Sequence, residues 1–402
     1  MRRILFVDDE PRILDELRRM LRSQRQGWEL AFAPGAETAL LLMEASPFDV
    51  IVSDMRMPGM DGAALLARVR EKYPHVVRIV LSGHTELSTA LRVVPVAHQF
   101  LTKPCDAEML RVAIERACHL KALLHDDSIR SMVGGLGELP SLPRTYHALM
   151  LALADPNASI QKIARIVEFD VGISAKVLQL VNSAFFGIAR SMTNIRNAVS
   201  YLGLSTLKSL VLSVEVFRVF APKGHLEGFS LEDLQRHARL TSYIAARLPV
   251  PTHLIDIAMV AGILHDVGKL IMAWKLPSRF KRLMAEAQEE QCPLYKVEER
   301  EYGFTHAEIG AYLLGLWGLP YAVVEAVALH HAPHRVPHQT FDATSAVYIA
   351  NLLAQELNSS TPPSWENGLQ RDQEYLDSLG IQNDIPKWRA MAAEAPHLLA
   401  EA

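Results

Sequence analysis

Short apolar runs in the first quarter of the chain end, one after another, in acidic residues, a serine or a lysine. The run at 4–7 ends in Asp8 and Asp9, that at 50–53 in Asp54, that at 76–81 in Ser82, and that at 99–102 in Lys103. Apolar residues at helical spacing, such as those between 13 and 21, lie between the runs. Strands that alternate with helices predict a parallel sheet, and such sheets bind ligands at the carboxyl ends of their strands.

The polar residues at these strand ends have the chemistry of a phosphorylation site. Asp8, Asp9 and Asp54 would repel one another, and a hard divalent cation such as Mg²⁺ relieves that repulsion. With the cation bound, Asp54 can attack a phosphoryl donor, and Lys103 then supplies positive charge and Ser82 a hydroxyl group to the acyl phosphate. Any one of the five could be an ordinary turn residue, but five in this order favour a phosphorylation site.

Residues 1 to about 120 resemble the receiver domain of two-component response regulators, a flavodoxin-like (βα)5 fold with a parallel sheet. The matching segments are Val7-Asp8-Asp9-Glu10, Ser53-Asp54-Met55-Arg56-Met57-Pro58-Gly59-Met60-Asp61-Gly62, Leu81-Ser82-Gly83-His84 and Phe100-Leu101-Thr102-Lys103-Pro104. The resemblance implies that Asp54 is the phosphoacceptor and that Phe100 is the switch aromatic. It further implies Mg²⁺ ligands and phosphoryl sensors: Asp8, Asp9, Asp54 and the backbone carbonyl of Arg56 for the metal, Ser82 and Lys103 for the phosphoryl group.

The rest of the chain is long enough for one large or two small further domains. Of 402 residues, about 280 follow the receiver, and half of the whole chain is hydrophobic. A net charge of −4 gives no electrostatic reason to bind nucleic acid or an anionic membrane. The first residues predict no signal peptide, no apolar stretch reaches the length of a membrane span, and three isolated cysteines suit a reducing compartment. We therefore expect a cytoplasmic protein.

Helical spacing dominates from residue 142 onward and predicts an all-helical second part, so that the fold class is α/β plus all-α. The predicted division is a receiver at 1–122, a helical linker at 123–138, a helical domain at 139–345, and a helical C-terminal extension and tail at 346–402. One helix is expected at 385–400. Segments 159–164 and 172–177 have the rhythm of a DNA-binding helix-turn-helix, but Lys176 is the only cation of the second helix, which favours a packing pair.

Histidines cluster at predicted helix ends in this second part. His237 is expected to open a helix, His265 and Asp266 to close one, His306 to begin another, and His330 and His331 to end a fourth. Such residues supply the nitrogen and carboxylate ligands that a transition metal (Fe, Mn or Zn) prefers, and a metal there could assist attack on phosphate. The alternative is that these histidines satisfy helix-end carbonyls or pack in the core.

Residues 135 to about 340 resemble the HDOD domain, a relative of the HD phosphohydrolases. The resemblance implies a signalling or interaction module without an established shared catalytic activity. The segments that carry it are Leu139-Pro140-Ser141-Leu142-Pro143, Leu178 to Gly187, Ile195 to Gly203, Leu264-His265-Asp266-Val267-Gly268-Lys269-Leu270 and Trp317-Gly318-Leu319-Pro320.

Three departures from the HD-GYP cyclic-di-GMP phosphodiesterases argue against hydrolysis. Ala332 stands where a Glu would follow the paired histidines, no Gly-Tyr-Pro segment comes after it, and Asn351 stands where the superfamily has its last aspartate ligand. An amide is a weaker metal ligand than a carboxylate. We therefore lean against an enzyme, although enough ligands remain for a metal to bind.

The function expected from these patterns is that of a response regulator in a phosphorelay. A sensor histidine kinase or phosphotransfer protein would phosphorylate Asp54, Ser82 would move toward the new charge, and Phe100 would turn inward. The receiver would then rearrange against the HDOD domain or change homodimerisation, and the HDOD domain would act on a downstream protein by contact. The alternatives are a phosphorylation-gated, metal-dependent phosphohydrolase or cyclic-dinucleotide phosphodiesterase, and a DNA-binding regulator.

Overall fold

A five-stranded parallel sheet forms the N-terminal part of the computed structural model. Its strand order is β2-β1-β3-β4-β5. The strands are β1 (Arg2–Val7), β2 (Trp28–Ala33), β3 (Val50–Asp54), β4 (Val77–Ser82) and β5 (Gln99–Thr102). The structure describes residues 2–22, 27–82, 96–103, 107–120, 127–136, 139–141, 148–149, 151–153, 155, 159–182, 192–212, 217–219, 228–335, 341–358 and 373–400.

Helices cover the sheet on both sides, as the alternating sequence pattern predicts. They are α1 (Pro11–Met20), α2 (Ala36–Ala45), α3 (Gly62–Lys72) and α4 (Ala107–Leu120). The apolar side chains Leu14 and Leu17 of α1 are buried, while Arg18 and Arg19 lie in its last turn. Strand β3 is buried along its whole length, which explains why its sequence is a continuous apolar run rather than an alternating one. The doubly wound fold expected for the receiver is confirmed.

The second part of the chain is built from helices. After α5 (Asp127–Gly134) follow α6 (Ile160–Glu168), α7 (Val171–Val181), α8 (Ile195–Leu212), α9 (Leu231–Ala245), α10 (Ile255–Leu264), α11 (Val267–Lys275), α12 (Pro277–Glu289), α13 (Leu294–Tyr302), α14 (His306–Leu316) and α15 (Tyr321–Leu329). Two three-residue strands, β6 (Leu139–Ser141) and β7 (Phe217–Val219), pair in parallel. The sequence analysis did not predict them, because three residues are too few to show a two-residue period.

The helix pair α6 and α7 packs in the core and does not present a recognition helix. Lys176, the one cation of the second helix, is fully buried, and its ammonium group lies 4.8 Å from the centre of the Trp317 ring. A buried lysine cannot contact a DNA phosphate. The pair therefore packs in the core, as predicted from the shortage of cations in its second helix.

The C-terminal segment continues the helical packing. Helix α16 (Ala343–Asn358) packs on α9, α10 and α15, so the boundary predicted at 345 falls inside a helix whose apolar face is buried. Two more helices follow, α17 (Gln373–Leu379) and α18 (Ile385–Ala400), and the last has the bounds expected from the sequence. Among the described residues, none of the helices combines the length and the apolar character needed to cross a membrane.

Candidate functional site

The carboxyl ends of β1 and β3 bring Asp8 and Asp54 together at one edge of the sheet. Asp8 follows β1, Asp54 is the last residue of β3, and both side chains are buried. Lys103 follows β5 and lies between them: its Nζ donates to Asp8 Oδ2 at 2.6 Å and also pairs with Asp54 Oδ1. Burial would lower the pKa of Lys103, but its hydrogen bonds to the two carboxylates raise it above its usual value.

The structure describes only some of the other predicted receiver residues. Asp9 is half-buried beside Asp8, and the Arg56 backbone N–H donates to Asp54 Oδ2 at 2.7 Å, so the Arg56 main chain lies next to Asp54. Ser82 ends β4, and Phe100 lies in β5 opposite Val80. The side chains of Ser82 and Phe100, like Pro104, lie outside the described part of the structure.

Gly62 explains why an Asp-Gly pair follows the strand that ends in Asp54. Asp61 caps α3 by accepting a hydrogen bond from the Ala64 N–H at 2.9 Å. The helix then begins so close to β3 that a Cβ on Gly62 would lie 2.1 Å from the Asp54 carbonyl oxygen. Any larger residue would push the helix away from the Asp54 main chain.

Five histidines and one aspartate meet in the helical domain. His265 and Asp266 join α10 to α11, His306 begins α14, and His330 and His331 follow α15. The prediction that His237 opens a helix is wrong. His237 lies within α9, which begins at Leu231, and Ser230 caps that helix by accepting a hydrogen bond from the Asp233 N–H. Two overlapping groups offer ligand atoms within 4.8 Å of one another: Asp266 with His306, His330 and His331, and Asp266 with His237 and His265.

Three of these imidazole rings are oriented by a hydrogen bond on the far side. His265 Nδ1 contacts the Gly262 carbonyl at 2.8 Å, His330 Nδ1 the Val327 carbonyl at 2.7 Å, and His306 Nδ1 the Glu298 carboxylate at 2.6 Å. Because these partners are acceptors, each Nδ1 carries the proton and each Nε2 keeps a lone pair. The Nε2 atoms lie 3.1 to 3.7 Å from the oxygens of Asp266.

Nitrogen lone pairs therefore face carboxylate lone pairs in a buried space. His265 Nε2, His330 Nε2 and Asp266 Oδ1 have no hydrogen-bond partner, although all three atoms are buried. Such an arrangement is costly unless a cation lies between the acceptors. Neutral imidazoles beside a carboxylate form a donor set that transition metals bind, so these residues fit the metal that the sequence predicted.

Burial and the neighbouring charges keep His237, His330, His331 and Asp266 in their ligand forms, whereas His306 is held toward its protonated form. Burial lowers the pKa of His330 to about 4 and that of His237 to about 3, and it holds the pKa of His331 well below the usual range. Burial would raise the pKa of Asp266, but His265 and Lys269 hold it well below its usual value. For His306 the Glu298 carboxylate outweighs burial and raises the pKa.

Glu298 is the residue that the sequence analysis missed. It is fully buried, and one of its oxygens contacts both Nδ1 and the backbone N–H of His306, at 2.6 and 2.9 Å. In the sequence it belongs to the charged run 298–301, which is typical of an exposed helix face, so no local signal marks it. A carboxylate behind a ligating histidine fixes the ring and raises its basicity.

Gly268 lets the helices that carry Asp266 and His306 approach each other. A Cβ at this position would lie 1.8 Å from the His306 carbonyl oxygen. Beside the cluster lies an open cavity of about 480 Å³, and its lining is both apolar and charged. Phe229, Phe280, Met284 and Leu294 form much of its wall, and Asp233, Arg236, His237, Asp266 and Lys269 also line it.

The amino-terminal ends of β4 and β5 form the contact between the receiver and the helices. Arg78 of β4 is 1% exposed, and its guanidinium donates to the carbonyls of Val96 and of Gly134 on α5, at 2.6 and 2.7 Å. Gln99 of β5 donates to the Gly315 carbonyl of α14 at 3.4 Å. Helices α4 and α5 also pack against α14. Gly134, which belongs to the predicted linker, is thus part of a packed joint.

Comparison with protein families gives one match for each part of the chain. Residues 4–115 match the response regulator receiver domain, and residues 139–333 match the HDOD domain. An uncharacterized protein of Treponema pallidum is 28% identical over 235 residues, which are 58% of this chain and 45% of that protein. The hydrogenase transcriptional regulatory protein HoxA of Cupriavidus necator is 35% identical over 125 residues, 31% of this chain and 25% of HoxA. The chain thus spans less than half the length of these relatives.

Two solved structures are among those similar to parts of the chain. The MmoQ response regulator of Methylococcus capsulatus is 20% identical, covers 63% of this chain and 98% of its own, and has a TM-score of 0.48. The signal receiver domain of an HD domain-containing protein from Pseudomonas fluorescens is 32% identical, covers 30% of this chain and 97% of its own, and has a TM-score of 0.29.

Proposed function

Because the chain belongs to the response regulators, with a receiver domain followed by an HDOD output domain, we propose that it accepts a phosphoryl group on Asp54 and passes the signal to the HDOD domain. The donor is a sensor histidine kinase or a phosphotransfer protein. The output is a contact with a downstream protein, made or broken by phosphorylation. Cysteines without metal or disulfide spacing suit the cytoplasm as the place where this happens.

The contact of Lys103 with both Asp8 and Asp54 is the observation that carries the phosphoacceptor role. A cation thus lies beside Asp54, where an acyl phosphate would need one, and Asp54 is the last residue of its strand. Asp8, Asp9, Asp54 and the Arg56 carbonyl supply the oxygen ligands that Mg²⁺ prefers. A bound Mg²⁺ would neutralise charge on the donor phosphate. Lys103 would orient the phosphoryl group, and Asp54 would attack it.

Helix α14 offers a direct route from the receiver to the HDOD cluster. Its first residue is His306, and its last turn contains Gly315, whose carbonyl accepts from Gln99 of the receiver. The helix is buried along nearly all of its length. A shift of β5 and α4 after phosphorylation would therefore move a rigid element that ends in the histidine cluster.

Phosphorylation with acetyl phosphate and Mg²⁺ tests the phosphoacceptor role. We expect one phosphoryl group on the wild-type chain, measured as the mass increase of the intact protein. The adduct should be absent from Asp54→Asn and present in Asp15→Asn, whose carboxylate is exposed on α1. Labelling of Asp54→Asn to the wild-type level would contradict the proposal.

A metal-dependent phosphohydrolase is the second candidate, and the unpartnered donor atoms around Asp266 favour it. A bound transition metal would act as a Lewis acid on a phosphoryl oxygen. Asp266, His306, His330 and His331 would hold it, Glu298 would orient His306, and the neighbouring cavity could admit a small phosphoester. Metal-dependent cleavage of a chromogenic phosphodiester, lost in His331→Ala, would establish this activity. No turnover with metal bound would leave the domain as a binding module.

A further inference from the structure

The two oxygens of Asp266 have different surroundings. Oδ1 is buried and makes no hydrogen bond, and it lies 3.1 Å from His306 Nε2 and 3.7 Å from His330 Nε2. His331 completes this side, with its Nε2 3.0 Å from His306 Nε2 and its ring stacked on Tyr295. Since His306 Nε2 has a lone pair, His331 Nε2 carries a proton in the metal-free chain, and a metal ion bound here would displace it. The possible ligand atoms of these four side chains all lie within 4.8 Å of one another.

The Oδ2 side is already occupied by positive charge. Lys269 Nζ donates to Asp266 Oδ2 at 2.7 Å, and burial of the pair strengthens that attraction. His265 Nε2 lies 3.4 Å from the same oxygen and has no partner of its own. A metal ion on this side would have to displace Lys269 from Asp266 Oδ2.

His237 is also committed on the Oδ2 side. Its Nε2, 3.9 Å from Asp266 Oδ2, lies 2.9 Å from Asn351 Oδ1, which also accepts from Gln355 Nε2 at 3.0 Å. The amide oxygen accepts, so His237 Nε2 must donate and carries the proton. Its lone pair is therefore on the other ring nitrogen. In His265, His306 and His330 the proton is on Nδ1, and Nε2 is free to bind.

We infer that the HDOD site of this chain holds one transition-metal ion rather than two, on the Oδ1 side of Asp266, with His306, His330 and His331 as the other ligands. The inference rests on the metal site of the second candidate function. Asn351 and Lys269 keep the His237 side from taking a second ion. The open cavity borders Lys269, His237 and Gln355.

Metal content per chain tests the inference without any assay of turnover. The full-length protein is stripped with a chelator, loaded with Mn²⁺ or Zn²⁺ alone, freed of excess metal and analysed by plasma mass spectrometry. We expect a ratio near one for the wild type and for His237→Ala, and near zero for His331→Ala. Asn351→Asp should raise the ratio toward two, because a second carboxylate then faces His237.

Two further readouts keep the outcomes separate. Mn²⁺ bound singly gives the electron paramagnetic resonance spectrum of an isolated ion, whereas two ions sharing Asp266 would give a coupled spectrum. Circular dichroism confirms that each variant is folded, and His331 is the residue chosen for removal because it is only half-buried.

The possible results bear on different claims. Two ions in the wild type, or loss of the ion in folded His237→Ala, would overturn the single-ion assignment and leave the metal site standing. A ratio that stays near one in Asn351→Asp would overturn the role given to Asn351. No metal in the wild type at any loading would overturn the metal site itself, and with it the inference, but not phosphorylation of Asp54.

Discussion

Five histidines lie around Asp266, and the protonation of their ring nitrogens decides which of them could bind a metal ion. The sequence could show the adjacent His-Asp pair and the histidines at the ends of predicted helices. Together these residue types are the ligands that transition metals prefer. The tautomer of His306 could not be predicted. It depends on Glu298 of α13, whereas His265 and His330 each contact a carbonyl only three residues earlier in the chain, those of Gly262 and Val327.

Removal of the Glu298 charge should weaken metal binding without removing a ligand. In Glu298→Gln the partner of His306 Nδ1 becomes an amide, so the ring is less basic and less firmly oriented. We expect affinity for Zn²⁺ to fall by about 10- to 100-fold, as measured by competition with a chelating dye.

Glu299→Gln is the matched control, since Glu299 is the next residue on α13 and pairs with Arg335 at the surface. Equal affinity losses in the two variants would show that the effect is not specific to the His306 contact.

At the scale of elements, α14 and the β4–β5 edge are where the two domains meet. The strands themselves were predictable, since each is a short apolar run that ends in a polar residue. Their contact with the helical domain was not, because nothing in the run 76–81 tells which face Arg78 would turn to or that carbonyls would surround it. Long-range pairing of this kind is absent from local sequence patterns.

Replacement of Arg78 should weaken the joint between the domains. In Arg78→Met the carbonyls of Val96 and Gly134 lose a charged donor and stay buried. We expect the free energy of unfolding to fall by roughly 2 to 4 kcal/mol, as measured by urea denaturation.

Arg68→Met on the exposed face of α3 should change it little. If Arg78→Met is as stable as that control, the guanidinium contacts are not what holds the edge.

His98 should make the joint sensitive to acid. Burial is the largest cause that holds the pKa of His98 well below its usual value of 6.5, and the charges of Arg78 and Lys176 also lower it. The contact with the Gly134 carbonyl acts in the opposite direction. Below about pH 6.5 the unfolded chain therefore binds a proton that the folded chain excludes, and stability falls as the pH drops. The loss can reach about 1.4 kcal/mol per pH unit for this one group.

His98→Gln should reduce this loss, as seen in urea unfolding of metal-free protein between about pH 5 and about pH 7. Other buried histidines contribute equally to both proteins, so the difference reports on His98. Parallel stability profiles for wild type and variant would contradict this assignment.

At the scale of the whole molecule, the receiver and the helical domain share one contiguous set of buried apolar residues. That set includes Ile114 on α4, Val133 on α5 and Tyr312 on α14. A change at the edge of the sheet that carries Asp54 would therefore reach the helices through packed elements. The sequence predicted both domains and their order, but the joint between them follows from packing that only the folded chain reveals.

Hydrogen exchange in α14 is the most direct test of this account. Wild type and Asp54→Ala are compared with and without beryllofluoride and Mg²⁺, a mimic of the phosphorylated aspartate, and exchange is followed across His306–Leu316. The account predicts a change in these amides in the wild type and none in Asp54→Ala. Unchanged exchange in a wild-type chain that acetyl phosphate does modify at Asp54 would show that the signal does not pass through this helix.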